Sequence, residues 1–515
     1  MPAFRYFLGI TALFATVAAA PVGAQAEPRL GELLASADQA WSAGKYDAAL
    51  GHYQAVLRRD STSARAVFRV ATLLAWRNDL DRSASLFRYY LRLAPGDDDG
   101  RIALARTLAW SGKYDQSIAL SDSVAASNPR QREAAMLAAQ ATAWSGNLHG
   151  AIERYRRWLA AHADDSAAWA ALAQTWGWAN RPEEAREALL HAVSADPRNT
   201  AARTQLEWTN VALTPSFEPT VSSTNDSDDN RSTTYMMRGG WAAPWNARLF
   251  ADASYRVADL TALHGTAATL RASSSWTPFD GQWTMHGELG ASHLEASDGA
   301  GAPRTSRLEP LVAARLSGRV APRMSLGAGV ARAAFDETAP LILAGVATST
   351  VDADADFAIT RHVSLGGGGG WTHLSGGSGP NARVAGSTTL RWSLAPFVSL
   401  AVGARGFSYD HAATDGYFAP KRYVLSELSA RWGFGGELGW RVESDIAIGD
   451  QMITAFDNST AARFAQRASA NLLYRPVPGI EWTVSGGFAN VASPTTISSA
   501  DYRAYTLAIK GRVRL

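Results

Sequence analysis

The pattern of hydrophobic and polar residues changes once along the chain, close to Pro215. Before that point apolar residues recur at the spacing of amphipathic helices, and after it apolar and polar residues alternate in segments of about 10–15 residues. In one such segment Trp440 and Val442 lie on one face, while Arg441 and Glu443 lie on the other. The first part is therefore predicted to be helical, and the second is predicted to form strands with one apolar and one charged face.

A second regularity divides the helical part into repeats. A residue that tolerates the left-handed backbone at a helix end recurs every 34 positions, at Gly44, Asn78, Gly112, Gly146 and Asn180. A tryptophan precedes each of these turns, at Trp41, Trp76, Trp110, Trp144 and Trp178. A small residue follows each turn by five positions, where it lets two helices approach closely, at Ala49, Ser83, Ser117, Ala151 and Ala185.

These positions resemble the motif of the tetratricopeptide repeat (TPR) family, in which two helices and a turn occupy about 34 residues. Residues 27–212 hold five such units in one register. The resemblance implies an α-solenoid that binds periplasmic or inner-membrane proteins on its concave face and is not catalytic. We expect the tryptophans to pack in the core between repeats.

The N-terminus predicts a secretory signal peptide over residues 1–26. Arg5 precedes an apolar run from Tyr6 to Ala20, and Ala24 and Ala26 are the small residues of a cleavage site. The run of about 15 residues is shorter than the roughly 20 that a membrane-spanning helix needs. The chain also has no cysteine, which excludes disulfides and thiolate metal sites.

Residues 216–515 are predicted to form an antiparallel transmembrane β-barrel of about 16 strands, one of them beginning near Leu341. Short connections, such as 243–244, alternate with long polar ones, such as 410–420. Charges along one face of so many strands would be costly in the core of a soluble sandwich, but they suit a barrel with a hydrated lumen. An even strand number places both barrel ends on the periplasmic side, together with the repeats.

Aromatic residues gather close to the short connections, as they do at a membrane–water boundary. They are Trp241, Trp245, Trp276, Trp283, Trp392, Phe397, Trp432, Phe434, Trp440, Tyr474 and Trp482. This distribution predicts a girdle on the periplasmic side, in contact with outer-membrane lipid.

The polar faces of the strands supply the candidate lumen residues, among which arginine is in modest excess. The candidates are Asp352, Asp354, Asp356, Arg383, Arg391, Glu427, Arg431, Arg441, Glu443, Arg463 and Arg467. Two interpretations remain open. The side chains form cross-strand ion pairs along a hydrated wall, or an excess of arginine makes a path that favours anions.

Motifs for other chemistry are weak. The spacing from Asp352 to Asp356 resembles the start of a calcium loop but lacks its glycine and its final glutamate, so no metal is predicted. His286 and Ser292 belong to no hydrolase motif, and we predict neither an enzyme nor a cofactor. The run Gly366–Gly370 lies in a strand and predicts a close approach of neighbouring backbone or tight barrel curvature, or alternatively a plug or loop that packs there in the lumen. A net charge of +2 gives no reason to expect nucleic acid as a partner.

Repeats followed by a barrel resemble two groups of bacterial outer-membrane proteins. The likeness rests on residues 109–115 (Ala-Trp-Ser-Gly-Lys-Tyr-Asp), their echo at 143–147, and the junction 215–219 leading to 226–230. Resemblance to the exopolysaccharide export porins of the cellulose and poly-N-acetylglucosamine type implies a conduit for a polysaccharide or another hydrophilic solute. Resemblance to YaiO-type barrels implies a closed barrel that anchors a protein-binding scaffold.

Overall fold

Eleven helices precede a sixteen-strand barrel in the part of the chain that the computed structural model describes, which comprises residues 29–278, 281–298, 303–321, 323–492 and 502–514. The predicted signal peptide, residues 1–26, lies outside these described residues. The chain divides into two compact units between Thr107 and Leu108.

Ten of the helices form five helix–turn–helix pairs. They are α1 (Leu30–Ser42), α2 (Tyr46–Arg59), α3 (Ala64–Trp76), α4 (Leu80–Leu93), α5 (Asp98–Trp110), α6 (Tyr114–Ser127), α7 (Arg132–Trp144), α8 (Leu148–Leu159), α9 (Ser166–Trp178) and α10 (Pro182–Ala195). A single helix, α11 (Thr200–Leu213), follows the fifth pair. The boundary between the two compact units lies inside α5.

The repeat turns have the conformation that the sequence predicts. Their central residues all have positive φ: Gly44 70°, Asn78 62°, Gly112 76°, Gly146 92° and Asn180 54°. Glycine and asparagine are the residues that adopt this backbone most readily. The five small residues that follow the turns are buried, so neighbouring helices do approach closely there.

The tryptophans before the turns are not buried in the core, so this prediction was wrong for most of them, although Trp41 packs against the core of the first unit and stacks on Trp76 of the next repeat with ring centres 5.4 Å apart. Trp76, Trp110 and Trp178 are 52%, 37% and 48% exposed, and Trp41 and Trp144 are half-buried. Trp76, Trp110, Trp144 and Trp178 are the last residues of α3, α5, α7 and α9, whereas Trp41 lies one residue before the end of α1. The core of the first unit contains Ala49, Tyr53, Val56 and Val70 instead, and that of the last repeats contains Ile152, Tyr155, Leu172, Trp176 and Leu189.

The barrel strands run antiparallel to their neighbours, and β1 pairs with β16 to close the sheet. They are β1 (Ser216–Asp226), β2 (Asn230–Ala243), β3 (Ala247–Leu260), β4 (Leu263–Trp276), β5 (Trp283–Asp298), β6 (Pro303–Ala321), β7 (Met324–Ala334), β8 (Ala347–Ala358), β9 (Val363–Ser375), β10 (Asn381–Ala395), β11 (Val398–Tyr409), β12 (Arg422–Gly435), β13 (Gly439–Thr454), β14 (Thr460–Val477), β15 (Ile480–Ala489) and β16 (Ala504–Arg514). Each of these described strands is thus paired along both of its edges.

Alternation along the strands separates an apolar exterior from a polar interior. Large apolar side chains such as Val221, Leu270, Leu308, Ile448 and Leu507 are exposed on the outside. Most of the predicted girdle residues share this outward alternation. Trp245 and Phe397 lie in turns and not on strands, and the guanidinium of Arg441 lies 4.8 Å from the centre of the Phe397 ring. No helix among the described residues is long and apolar enough to cross a membrane.

One predicted strand start was wrong. Leu341 belongs to a short helix, α12 (Ala339–Ala344), and β8 begins after it at Ala347. Pro340 lies in the first turn of α12, and Gly345 ends the helix with φ 64°. Proline near the start and glycine just after the end are signals of a helix, and they outweigh the apolar run that suggested a strand.

Candidate functional site

The eleven candidate residues all lie at inward positions of the strand alternation. On β10, Arg383 and Arg391 alternate with the outward Val384, and on β14, Arg463 and Arg467 alternate with the outward Phe464. The remaining candidates alternate in the same way with exposed apolar residues of β8, β12 and β13. The lumen wall therefore carries the predicted charges, and their pairing decides what the wall can do.

One group of these charges forms a network across three strands. The Arg467 guanidinium donates from Nε to Glu427 Oε1 at 3.0 Å and from Nη1 to Asp445 Oδ1 at 2.8 Å. Asp445 also lies 3.5 Å from Nε of Arg431. On the same side of the barrel, Arg441 Nη2 lies 2.7 Å from Glu443 Oε1.

A second network lies on the other side of the Gly366–Gly370 run. Arg315, on β6, donates to Asp352 at 2.5 Å and also contacts Asp354, so one arginine serves two carboxylates of β8. The glycines of β9 lie beside these aspartates, since a Cβ at Gly368 would lie 3.0 Å from Cβ of Asp354 and 2.8 Å from the carbonyl oxygen of Ala353. The run thus permits the close backbone approach that the sequence predicts.

Arg383, Arg391 and Arg405 have no carboxylate partner among the described residues. Arg383 donates from Nη2 to Thr372 Oγ1 at 3.3 Å, and its buried Nε makes no well-aligned hydrogen bond among the described residues. Arg405 is a further residue of the lumen wall, because the alternation of β11 places it on the polar face. Arg463 lies apart from these three, in the wall of a cavity of 280 Å³ beside Gln451 and Tyr502.

The connection between β7 and β8 folds into the lumen, which the sequence did not predict. Leu341 and Ile342 of α12 are completely buried, and α12 packs against β3, β4 and β5. The wall holds the connection by polar contacts at both ends: Arg256 Nη1 donates to Asp336 Oδ1 at 2.5 Å, and Arg307 Nη1 donates to the Gly345 carbonyl at 3.1 Å. The available signal was an apolar triplet, Leu341–Leu343, inside a connection.

Other connections at the same end of the barrel add to this closure. Tyr417, in the connection between β11 and β12, packs with Leu341, Val346, Leu374 and Tyr409. A neighbouring cluster contains Tyr423, Leu425, Ile453, Ala465, Val491 and Ala492, with Phe418 packed against it. Apolar side chains therefore narrow the lumen at the end that carries the long connections.

Below this closure lies a lumen cavity of 660 Å³. Its wall includes Asp352 and Asp354 on one side, Arg383 and Arg405 on another, and Tyr423 near the closure. Gly368 and Gly370 expose backbone to the same space. A cavity lined in this way can hold a polar, water-soluble group in contact with charged side chains.

The last repeats contact the opposite rim of the barrel, where the short connections lie. Asn180 Nδ2 donates to Thr277 Oγ1 at 2.8 Å, and Arg361 Nη1 donates to the Trp110 carbonyl at 2.8 Å. Arg514 donates to the carbonyl of Ala212 at 2.7 Å. These contacts fix the helical part of the second compact unit against the mouth of the lumen.

Two cavities lie along this rim. The larger, of 1270 Å³, is lined by Tyr114, Trp144, Arg154 and Arg361. The smaller, of 570 Å³, is lined by Trp178 and Asp354. Asn147 and Ala321 belong to the walls of both, and Asp354 belongs also to the wall of the lumen cavity. The three cavities thus form a series from the repeat surface into the lumen.

The polar residues considered for hydrolase chemistry, His286 and Ser292, contact different partners. His286 lies 3.7 Å from Glu288, whereas Ser292 shares a hydrogen bond of 2.8 Å with Thr269. In the part of the chain that the structure describes, no group of three or more His, Asp or Glu side chains is placed to hold a metal ion.

A family model of the tetratricopeptide repeat matches residues 77–141. No curated protein matches the chain in sequence. Among solved structures, a bacterial polysaccharide outer membrane secretin is 12% identical with a TM-score of 0.44, covering 59% of this chain and 99% of that one. YrrB, a TPR protein with an unusual peptide-binding site, is 18% identical with a TM-score of 0.29, covering 34% and 91%. A thermophilic TPR protein of Thermus thermophilus is 17% identical with a TM-score of 0.30, covering 35% and 99%.

The family match falls within the five helix pairs, and the strand pairing closes the sheet that follows them. In the part of the chain that the structure describes, helical repeats that match the tetratricopeptide family model over residues 77–141 are therefore followed by a closed, antiparallel β-barrel of sixteen strands.

Proposed function

We propose that this protein is an outer-membrane conduit for a hydrophilic substrate, such as an exopolysaccharide, and that its own connections hold it closed. The series of three cavities that leads from the repeats to the charged lumen carries this proposal. The apolar exterior of the barrel fits a lipid environment, and the polar wall fits a substrate that cannot cross lipid unaided.

The repeats belong on the periplasmic side in this proposal. Short connections face the periplasm in outer-membrane barrels, and the last repeats contact the rim that carries the short connections. A substrate would meet the repeat surface first and would then enter the lumen. The repeats also offer a surface for periplasmic or inner-membrane proteins. The proposed role is binding and passage, without catalysis.

Opening requires that the connection containing α12 leave the lumen. It is held by two arginine contacts, by the backbone hydrogen bond from Gly377 N to Ala344 O, and by two small apolar faces, one against β3–β5 and one against Leu374 and Tyr409. Each of these is a modest interaction, and they can be removed without touching the strands. The closure is therefore separable from the barrel.

Planar-bilayer conductance tests the proposal. The wild type is compared with a variant in which residues 337–346 are replaced by a short glycine–serine linker. We expect small or rare openings for the wild type and stable conductance for the variant. Heat-modifiable gel mobility shows that both barrels are assembled, and vesicles without protein give the background.

A second function is favoured by the complete burial of Leu341 and Ile342. In that case the barrel is a permanently closed anchor that presents the repeats to partner proteins. An assembled loop-replaced variant that never conducts would support the anchor and contradict the conduit.

A further inference from the structure

The three arginines without carboxylate partners among the described residues are evenly spaced along the lumen. On β10, Arg383 and Arg391 are eight residues apart. Arg405 of β11 pairs in register with Ser387, which is halfway between them. A strand rises about 3.3 Å per residue, so successive arginines are about 13 Å apart along the strand direction. Arg383 lies near the closed end of the lumen, and Arg391 lies near the rim that carries the repeats.

Carboxylates elsewhere on the wall are already paired with other cations. Arg238 donates to Asp252 at 2.5 Å, and Arg271 donates to Glu288 at 3.4 Å. The carboxylates on the strands around the three arginines, Asp352, Asp354 and Glu427, pair with Arg315 and Arg467. Asp356 of β8 has no ion pair with any of the three arginines. The three arginines therefore have no ion-pair partner among the described residues, although Arg315 serves two carboxylates and leaves β8, on the far side of β9, with negative charge.

The residues beside the column in register are neutral. Thr372, Gly368 and Ser364 of β9 lie opposite Arg383, Ser387 and Arg391. Leu425 of β12 lies opposite Arg405, and Ser429 lies opposite Ala401. Thr372, Gly368 and Ser364 leave room for a ligand on the β9 side of the column, whereas the larger Tyr409 and Leu425 lie opposite Arg383 and Arg405 on their other sides.

The hydrogen bonding of the Arg383 guanidinium is a second observation that points to a ligand, independent of the spacing of the arginines. Its buried Nε makes no well-aligned hydrogen bond among the described residues, although the Tyr409 hydroxyl lies beside the guanidinium, and the side chain faces the 660 Å³ cavity. A buried guanidinium N–H without an acceptor is costly, and an anionic oxygen would satisfy it. Arg405 faces the same cavity.

We infer that Arg383, Arg405 and Arg391 form a ladder of binding sites for the carboxylate groups of an acidic polysaccharide. A guanidinium binds a carboxylate through paired N–H donors, and a column of such sites lets one charged group pass from site to site. This inference rests on the proposed function, and it names the chemical class of the substrate. A neutral or cationic polymer would gain nothing from the column.

The test uses the variant with residues 337–346 replaced, because its lumen is expected to be open. Fluorescently labelled oligogalacturonate measures binding in detergent, and the same unlabelled oligomer measures block of conductance in bilayers. Neutral dextran oligomers of similar length are the comparison ligand. We expect binding and block by the acidic oligomer alone, and both should weaken as salt rises.

Replacing the three arginines together, by Arg383→Gln, Arg391→Gln and Arg405→Gln, should weaken binding and block roughly tenfold or more. A matched control carries Arg238→Gln with Asp252→Asn, which removes a lumen ion pair without a change in net charge. It should leave binding and block as they were. Equal weakening in the control, or no weakening in the triple variant, would overturn the ladder.

The two proposals fail in different ways. If the barrel conducts but does not bind the acidic oligomer, the ladder is contradicted and the conduit remains supported. If the barrel never conducts but binds the acidic oligomer through the three arginines, the conduit is contradicted and the ladder remains as a binding site. Preference for the neutral oligomer would show that the substrate class is wrong.

Discussion

Asn180 donates a hydrogen bond from Nδ2 to Oγ1 of Thr277 over 2.8 Å, and this bond joins the turn of the fifth repeat to the barrel rim. The same asparagine has φ 54°. Glycine would fit that backbone at lower cost, but it has no side chain to reach the rim. Gly281 lies against the same turn, where a Cβ would collide with the carbonyl of Ala179. The departure from glycine in this repeat is thereby explained by a contact outside the repeats.

Asn180→Gly is therefore expected to weaken the junction even though it relieves the backbone. One hydrogen bond is worth about 0.5–1.5 kcal/mol, and a double-mutant cycle with Thr277→Val should give a coupling free energy in that range. The measurement is the urea midpoint of the helical circular-dichroism signal. Asn78→Gly, at the matching turn of the second repeat, reports the backbone effect alone and should be neutral or stabilising. Additive effects of Asn180→Gly and Thr277→Val would contradict the contact.

Neighbouring positions on β16 should respond oppositely to charge. Leu507 is 55% exposed on the apolar exterior, while Ala508 alternates to the lumen side. Leu507→Arg places a guanidinium in lipid at a cost of about 2–4 kcal/mol near the midplane, and assembly should fall. Ala508→Arg should be tolerated. Heat-modifiable gel mobility measures the folded fraction, and equal tolerance at the two positions would contradict the strand register.

The repeats and the strand number are predictable because each rests on a period in the sequence. A spacing of 34 residues places Gly44 and its counterparts at turns, and the two-residue period gives the faces of β13 and β16. The ion pairs inside the lumen could not be predicted from a period in this way. Arg467 reaches Glu427 across the whole of β13, and that contact depends on the register of three strands. Alternation alone cannot separate Arg467, which has carboxylate partners, from Arg391, which has none among the described residues.

The tryptophans and α12 show a second limit. Trp76 and its counterparts recur at a regular spacing within the repeats, but recurrence does not tell which side of the helix packs. Leu341 and Ile342 look like part of a strand because they are apolar, and their partner surface on β3–β5 is distant in sequence. The exposure of the tryptophans and the helical structure of α12 both depend on packing between residues that are distant in sequence.

Acid should weaken the fourth and fifth repeats through Asp165. This carboxylate accepts from Arg132 Nε at 2.7 Å, from Trp158 Nε1 at 2.9 Å and from the Ala168 backbone at 3.0 Å. Burial alone would raise the pKa of Asp165, but these donors outweigh burial and lower the pKa to about 2. The folded pKa is depressed, so the stabilisation is complete above the unfolded pKa near 4 and is lost as pH falls from about 4 to about 2.

Asp165→Asn should remove about 2 kcal/mol of stability at neutral pH and flatten the pH dependence between about pH 4 and pH 2. Thermal unfolding followed by circular dichroism at several pH values measures both effects. Asp164→Asn makes the same change in charge at the adjacent, exposed position and should leave the profile as in the wild type. An unchanged acid profile in Asp165→Asn would contradict the assignment.

A bulky residue at Gly265 should push α12 out of the lumen. A Cβ there would lie 2.9 Å from Ile342 Cδ1 and 3.2 Å from Ala339 Cα, so Gly265→Leu cannot coexist with the present packing. Because Gly265 is on the wall and α12 belongs to a connection, the helix is the part that can move. The variant should therefore conduct in planar bilayers without any deletion. Gly486→Leu is the matched control, since none of the described atoms lies within 4 Å of a Cβ at Gly486, and it should behave as the wild type. A Gly265→Leu barrel that assembles and stays closed would show that α12 is not the closure.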